Sequence, residues 1–591
     1  MAVESQRLGI RPAPRRQLRR LAASDPRLRV AALGLAIVLL AATIWVRLAY
    51  WQVVQGPELA RYAADQYQHT VPLPAGRGVI YDREMRPLAV NVTVYSVFVS
   101  PDNVLPEDRA RVAGGLVQVL GVDRAKVMST LAGGGQFAYI ARRQPKEKAD
   151  AIRALALPGI GLEPEQQRSY LPGGSGQGTL AANLLGFVNF DGKGQYGVEG
   201  YYDARLAGKA GYKSTYRDAA GRDIALGPSQ RVNPVNGGDI VLSIDASVQY
   251  AAEEALAAGV KANKAESGSV IVMDPKTGDI IAWADYPTYD ANQFATADPA
   301  SVKDSIVSDL YEPGSIMKIA TLTGALDAHA ITPTTTINDP GYIMVGGHRI
   351  NDWDGRNHGT VTMTRVLEES YNVGATRAEQ MEGSASFYHY LQAFGFGGPS
   401  NVDVAGEATQ PLPPYAQWPE VQFATASFGQ GIAVNMVQMC AAVNVIANGG
   451  KMAQAHVADR IGATAGPLVN TPQRQVVTAD SVTQMTQMME SVVQHGSGYT
   501  ARVAGFELDQ TGKTGTSQIP ENGGYSTDHV WASYAGFLPA QNPRFTMLVV
   551  IRKPNNGSFD HNEGYYVSAP IWKAIASSIV LQWRIAPEAP S

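Results

Sequence analysis

Apolar and polar positions divide this chain into an apolar head, a β-rich stretch and a long mixed region. Val30 to Val46 runs uncharged for 17 residues, and beyond Arg47 the apolar pattern resumes through Leu48, Ala49, Tyr50 and Trp51. That is the short limit of a membrane-spanning helix. Arg47 can snorkel to the interface, where Trp45, Tyr50 and Trp51 suit an aromatic belt. Gln52 to Gln68 reads as a helical stalk. Val71 to Ala89 predicts short strands joined by turns, and Val92 to Val99 a further β-rich run. Three short helices are predicted at Ala110–Leu120, Asp123–Leu131 and Pro145–Leu155. Near residue 236 the texture changes. Ile240–Ile244 is a compact strand, and Asp245 caps a helix from about Ser247 to Ala262. Ser269–Met273 and Ile280–Ala284 flank the turn Asp274–Asp279 as a hairpin. Trp531–Leu538 and Phe545–Ile551 are strand-like. These patterns predict a multidomain α+β chain: a basic tail (1–29), a transmembrane helix (30–50), a mixed α/β pedestal (51–235), a second folded domain (236–580) and a short tail (581–591).

Charge sharpens the head. Residues 1–29 hold eight Arg against Glu4 and Asp25, a local balance of +6. With the whole chain at −4, the remainder carries −10, which gives no footing for nucleic-acid binding. The Arg cluster places the N-terminus in the cytoplasm by the positive-inside rule, so about 540 residues face outward. A cleavage site after Ala49 would put Arg47 at −3, so the head reads as an uncleaved anchor. An apolar content of 45% permits large cores. Cys440 is the sole cysteine, so no intrachain disulfide forms. The nine His show no metal-ligand spacing, and no metal or cofactor is expected. The Gly-rich run 173–178 lacks a following Gly-Lys-Ser/Thr and reads as a surface loop, not a phosphate loop.

The candidate chemistry starts at Tyr311-Glu312-Pro313-Gly314-Ser315-Ile316-Met317-Lys318. Pro313 and Gly314 make a turn that feeds an apolar helix, putting Ser315 at its start and Lys318 one turn on, on the same face. A serine hydroxyl becomes a nucleophile when a neighbouring base takes its proton, and a lysine amine held by the helix can be that base. Alone, S-x-x-K carries little weight. Two more motifs follow: Ser370-Tyr371-Asn372 after a helix (Met363–Glu369), and Lys513-Thr514-Gly515-Thr516 on a strand-like segment. The order S-x-x-K, S-x-N, K-T-G is far more specific than any member. A second K-T-G, Lys276–Gly278, lies in a hairpin turn upstream of Ser315, where turn geometry explains it.

At these residues the sequence resembles the class B penicillin-binding proteins, membrane-anchored peptidoglycan D,D-transpeptidases. Tyr371 takes the position of Asp in the usual S-D-N. In the pedestal, Arg77-Gly78-Val79-Ile80-Tyr81-Asp82-Arg83 with Leu88-Ala89 looks like a family signature, with Glu84-Met85 where Asn-Gly is usual. Gly197-Val198-Glu199 with Leu206-Ala207-Gly208 is similar to a second. Asp239 to Glu254, Phe428–Gly431 and Gly496–Ala501 also match, with Gly429 and Gly431 read as loop-shaping. No long glycosyltransferase-like region precedes the pedestal, and no appended module is expected after about residue 580.

The resemblance implies a penicillin-binding transpeptidase domain with a central antiparallel sheet flanked by helices. It implies Ser315 as nucleophile on D-Ala-D-Ala stem peptides and Lys318 as base, with Lys513 as a second cation depressing its pKa. Ser370 and Asn372 would relay the proton and hold the peptide. A substrate strand would pair with the Lys513 strand, with Gly515 bare where it comes closest, Thr514 and Thr516 on its carboxylate, and the N–H groups of Ser315 and Thr516 as oxyanion hole. For Lys318 to act near pH 7, its pKa must fall by about 3 from about 10.4. Implied partners are peptidoglycan stem peptides, the cytoplasmic membrane, β-lactams as inhibitors, a SEDS-type polymerase and other division proteins. The length favours a septal over an elongation role. The rivals are a D,D-carboxypeptidase or serine β-lactamase on the same scaffold, and a scaffold for the wall polymerase.

Overall fold

The structure, a computed structural model, describes residues 26–587 apart from 175, 177, 217–228, 463–472, 522 and 559. Most of the basic tail, the last four residues and two positions of the Gly-rich loop therefore lie outside the described residues. The described residues of Met1–Leu73 and Gly211–Asn233 form one compact unit, and those of Pro74–Ala210 and Pro234–Ser591 form the other.

In the first unit, a helix runs Pro26–Ala49, widens by one π-type turn over Tyr50–Val54, and gives way to Gly56–Tyr67. The helix Pro26–Val54 is 29 residues long and holds an 18-residue window with a mean hydropathy of 2.2, long and apolar enough to cross a bilayer. The helix therefore starts four residues before the uncharged run, and the stalk follows it. Gln68–Leu73, Gly211–Tyr216 and Gln230–Val232 form a three-stranded antiparallel sheet.

In the second unit, the long strand Pro87–Val99 pairs with Ala138–Gln144, Ile160–Tyr170 and Ile80–Tyr81. Helices Arg109–Leu120, Arg124–Ala132 and Lys146–Ala154 supply Val112, Leu116, Leu131 and Ile152 to a small core against it. Just after residue 236 the chain joins this sheet: Ile240–Leu242 runs parallel to Ile80–Tyr81 and antiparallel to Ala458–Ile461.

The two pedestal signatures meet around one buried carboxylate. Glu199 is fully buried and accepts from Arg77 Nε at 2.6 Å and Arg168 Nε at 2.7 Å, while Arg77 Nη1 donates to Asp203 at 2.7 Å. Removing one partner of such a network strands buried charge. Glu199→Ala is expected to lower stability by about 3–5 kcal/mol, read as a fall in melting temperature of the purified ectodomain. The turn at Glu84-Met85 closes despite lacking Asn-Gly. Met85 itself takes the left-handed conformation (φ 64°), and the buried Asp82 carboxylate accepts from the N–H groups of Glu84 and Arg86.

The larger part is built on a five-stranded sheet in the order Ile280–Tyr286, Ser267–Met273, Phe545–Arg552, Gly524–Leu538, Lys513–Glu521, every pair antiparallel. Its alternation sorts side chains to two faces. Val270, Val272 and Val549 meet helices Ala246–Ala262 and Ser568–Trp583, while Ile271, Leu548 and Val550 face the core that contains Met317–Asp327 and Met436–Ala447. Asp245 caps its helix through the N–H groups of Ser247 and Val248. Lys276–Gly278 sits in the turn between two strands of this sheet, as turn chemistry predicts. The strand Lys513–Glu521 is outermost, paired on one side only among the described residues.

Candidate active site

Pro313 and Gly314 (φ 57°) turn the chain into a single 3-10 turn, Gly314–Ile316, which runs into the helix Met317–Asp327. Ser315 therefore stands on the turn and Lys318 at the second helical residue, with Nζ 3.0 Å from Ser315 Oγ. Lys318 is fully buried, as is Lys513.

Ser370 ends the helix Met363–Glu369 in the left-handed conformation (φ 65°), which carries both its carbonyl and its hydroxyl to Lys318. Asn372 opens the next helix, Asn372–Glu382. Its side-chain amide donates to Asn351 O at 3.0 Å, which fixes the amide orientation and leaves Oδ1 facing Lys318 Nζ at 2.8 Å. Ser370 O, 2.5 Å from Lys318 Nζ, is likewise acceptor-only. A neutral lysine has two N–H donors and one lone pair. These two acceptors take the donors, so the lone pair is left for the Ser315 hydroxyl.

Electrostatics favour that neutral form. Burial pushes the Lys318 amine well below its ordinary value, the positive charge of Lys513 pushes the same way, and Asp352 opposes. Burial also pushes Lys513 down to about 7, against Glu369 and Glu563. The cation expected to do the depressing is thus the lesser cause, behind desolvation. Lys513 Nζ bridges Ser370 Oγ at 3.0 Å and Thr514 O at 2.9 Å.

The site opens into a cleft of about 360 Å³ lined by Ser315, Ser370, Asn372, Thr514 and Thr516. Gly515 lies on the strand beside the turn that carries Ser315. A Cβ there would overlap Ser533 Oγ and come within 2.9 Å of Ile316 Cγ1 and 3.0 Å of Pro313 O. The bare α-carbon lets the strand press against the turn that carries Ser315. Gly429 (φ 80°) likewise packs closely on Gly314 of this turn, its carbonyl accepting from Gly314 N at 3.1 Å. Glu312 ties the neighbouring parts together, Oε1 accepting from Gly431 N and Tyr525 Oη.

Sequence reasoning left several cleft residues unassigned. Ser497 bonds Thr514 Oγ1 at 2.9 Å, and its Gly-Ser-Gly setting was a usable signal. Trp353, Glu563, Tyr565 and Tyr566 line the rim with no local motif to mark them.

Residues 268–577 match the penicillin-binding protein transpeptidase domain, and residues 72–242 the penicillin-binding protein dimerisation domain. Among curated proteins, the chain is 31% identical to stage V sporulation protein D of Bacillus subtilis over 89% of this chain and 81% of that protein. It is 30% identical to peptidoglycan D,D-transpeptidase FtsI of Escherichia coli over 95% of this chain and 93% of that protein. Among solved structures, penicillin-binding protein 3 of Mycobacterium tuberculosis complexed with aztreonam superposes with a TM-score of 0.67 at 26% identity, covering 88% of this chain and 99% of that one. With this pair of domains, and with relatives that align over nearly their whole length, the chain belongs to the class B penicillin-binding proteins, serine-type peptidoglycan D,D-transpeptidases.

Proposed function

We propose that Ser315 is the acylated nucleophile and Lys318 its base, with Ser370, Asn372 and Lys513 completing the machinery. The observation that carries this reading is the buried Lys318 amine, whose donors are taken by two acceptors while Ser315 Oγ stands 3.0 Å away. Lys318 takes the Ser315 proton as Oγ bonds to the carbonyl carbon of the penultimate D-alanine. The C–N bond to the terminal D-alanine breaks, and the proton passes to the leaving amine by way of Lys318 and the Ser370 hydroxyl. An acceptor amine from a neighbouring stem peptide then attacks the ester. It loses a proton by the same route, a new amide forms, and Ser315 Oγ regains its hydrogen. The open side of the Lys513 strand receives the donor peptide as an added strand, with Thr514 and Thr516 at its carboxylate. The N–H groups of Ser315 and Thr516 serve as the oxyanion hole.

The helix Pro26–Val54 anchors the protein in the cytoplasmic membrane with its N-terminus inside and the catalytic part outside. The end-to-end match to FtsI supports a septal role, with a SEDS-type polymerase and other division proteins as partners. The complexes of the tuberculosis protein with aztreonam and ampicillin support β-lactams as inhibitors.

Intact-mass analysis of the ectodomain after ampicillin treatment is expected to show one adduct that persists for many minutes, mapped by peptide fragmentation to Ser315. An adduct on another residue would overturn the assignment, and rapid turnover of the drug would favour a hydrolase. A fluorescent fusion at mid-cell rather than along the side wall tests the septal role.

A further inference from the structure

Of the two carboxylates that line the cleft, one is spent and one is not. Glu369 pairs with Arg365 Nη2 at 2.8 Å, and its carbonyl accepts from Trp353 Nε1 at 3.1 Å. Glu563 is half-buried, and its side chain makes no ion pair or hydrogen bond with any described residue. Burial and the neighbouring Asp560 push its carboxyl above the ordinary range, and Lys513 opposes them. Lys513 itself is committed to Ser370 Oγ and Thr514 O.

The backbone that carries this carboxylate is pinned to the catalytic strand. Glu563 O accepts from the N–H groups of Tyr566 and Val567, both at 3.0 Å, in the turn that leads into the helix Ser568–Trp583. Gly564 N donates to Thr516 Oγ1 at 3.2 Å. A Cβ on Gly564 would overlap Ser533 O and come within 2.7 Å of Gly515 O. Thr500 Oγ1 donates to Tyr565 O at 2.6 Å. The rings of Tyr565 and Tyr566 meet edge to face, centroids 4.8 Å apart, and both line the same cleft. A carboxylate without a counter-charge, beside aromatic rings in a concave wall, has the chemistry to hold a cation. An anion would be repelled, and a neutral group would leave the charge unpaired.

We propose that Glu563, with Tyr565 and Tyr566 beside it, is a subsite for a protonated primary amine on a peptide strand entering the cleft. The inference rests on the assignment of Ser315 and Lys318 above and deepens it, giving the cleft a preference among peptides that share the same reacting bond. Two strands can bring such an amine. The acceptor must carry one, since its nitrogen forms the new bond, and a donor carries one wherever a side chain bears an amino group. In either case Glu563 pairs with the ammonium and takes no proton from it. An acceptor amine loses its proton only afterwards, by the Lys318 and Ser370 route. The pairing also supplies Glu563 with the counter-charge that the protein withholds.

The test uses the full chain in detergent and two synthetic donor thioesters with D-alanine at the reacting carbonyl. They are identical except that a side-chain amine on the preceding residue is free in one and acetylated in the other, and thiol release reads the acylation rate. A donor-side subsite shows as a preference for the free amine of about fivefold in the wild type, the worth of one partly screened ion pair beside aromatic faces. Glu563→Gln, equal in size and uncharged, brings that ratio near one, and Glu563→Lys inverts it. Each variant is compared with itself on the two donors, so partial misfolding lowers both rates and leaves the ratio. A second arm forms the acyl-enzyme from the acetylated donor and offers it a peptide amine, largely protonated at neutral pH, or hydroxylamine, largely uncharged there. A fall of about fivefold in the ratio of transfer to the peptide amine over transfer to hydroxylamine in Glu563→Gln assigns the subsite to the acceptor. A collapse of the donor ratio assigns it to the donor. Wild-type ratios in both arms for Glu563→Gln and Glu563→Lys overturn the proposal. Ser315→Ala separates the two levels: thiol release at the wild-type rate in that variant removes the site assignment itself, whereas its loss, with both Glu563 ratios unchanged, removes only the amine subsite.

Discussion

Lys318→Met is expected to cut the acylation rate by about 10²–10⁴-fold, the usual contribution of a general base, while leaving the melting temperature within about 3 °C of wild type. Methionine fills nearly the same volume but cannot take the Ser315 proton. Two stability effects oppose each other. Ser370 O and Asn372 Oδ1 lose their donor, at about 1–3 kcal/mol for each group left unpaired. Against this, the wild type must hold an amine in a place where burial disfavours its charged form, a cost that disappears with the amine. In the wild type, the neutral fraction of Lys318 grows as pH rises through its lowered pKa, so acylation rises with pH and falls in acid. The variant loses that dependence. Stopped-flow acylation with nitrocefin and a thermal melt check both halves, and near-wild-type acylation by Lys318→Met would remove the lysine from the mechanism.

Gly429→Ala is expected to slow acylation by about 10²-fold through the backbone alone. Gly429 has φ 80°, where an L-residue is strained by about 1–2 kcal/mol. Its new Cβ would overlap Gly314 O and stand 2.6 Å from Gly314 N. That backbone cannot swing aside without carrying Ser315 with it, and a displacement of about 1 Å is worth about 10²-fold in rate. Gly431→Ala is the informative comparison. It has φ 71°, but its Cβ would meet Gln422 Nε2 at 2.9 Å, the end of a side chain that can move. Its strain is similar and its effect on Ser315 should be much smaller. Equal losses in the two variants would show that the clash with the nucleophile turn is not the cause.

Local signals wrote much of this fold into the sequence, and the exceptions share a physical reason. Asp245 announced its helix because a cap acts within a few residues. The hairpin around Asp274–Asp279 was legible because turn chemistry is equally local. The three motifs were legible only through their order, since nothing in the pattern of any one brings Ser315, Ser370 and Lys513 within hydrogen-bond reach. What stayed hidden is non-local. The parallel pairing of Ile240–Val241 with Ile80–Tyr81 leaves no trace in either segment, so the change of texture near residue 236 does not reveal which sheet the next strand joins. Asp352 looks like any loop aspartate until the fold places it under Asn372, twenty residues on. The left-handed Ser370 has no marker, because a serine rarely adopts that conformation without outside support. Gly515 was legible on its strand, but its packing against the Ser315 turn was not, since alternation tells which residues share a face but not which body lies against it.

The one-sided pairing of Lys513–Glu521 has a consequence beyond catalysis. Between turnovers the catalytic ladder ends in an unzipped selvedge, a ready template for any extended chain that drifts past. If the donor peptide adds as the next strand, as proposed, such a border cannot be screened by a permanent neighbour without shutting out the polymer it must stitch. Fidelity therefore falls to the reacting bond and the carboxyl terminus of the guest, and the enzyme must tolerate a traffic of fruitless visitors in order to stay open to the right one.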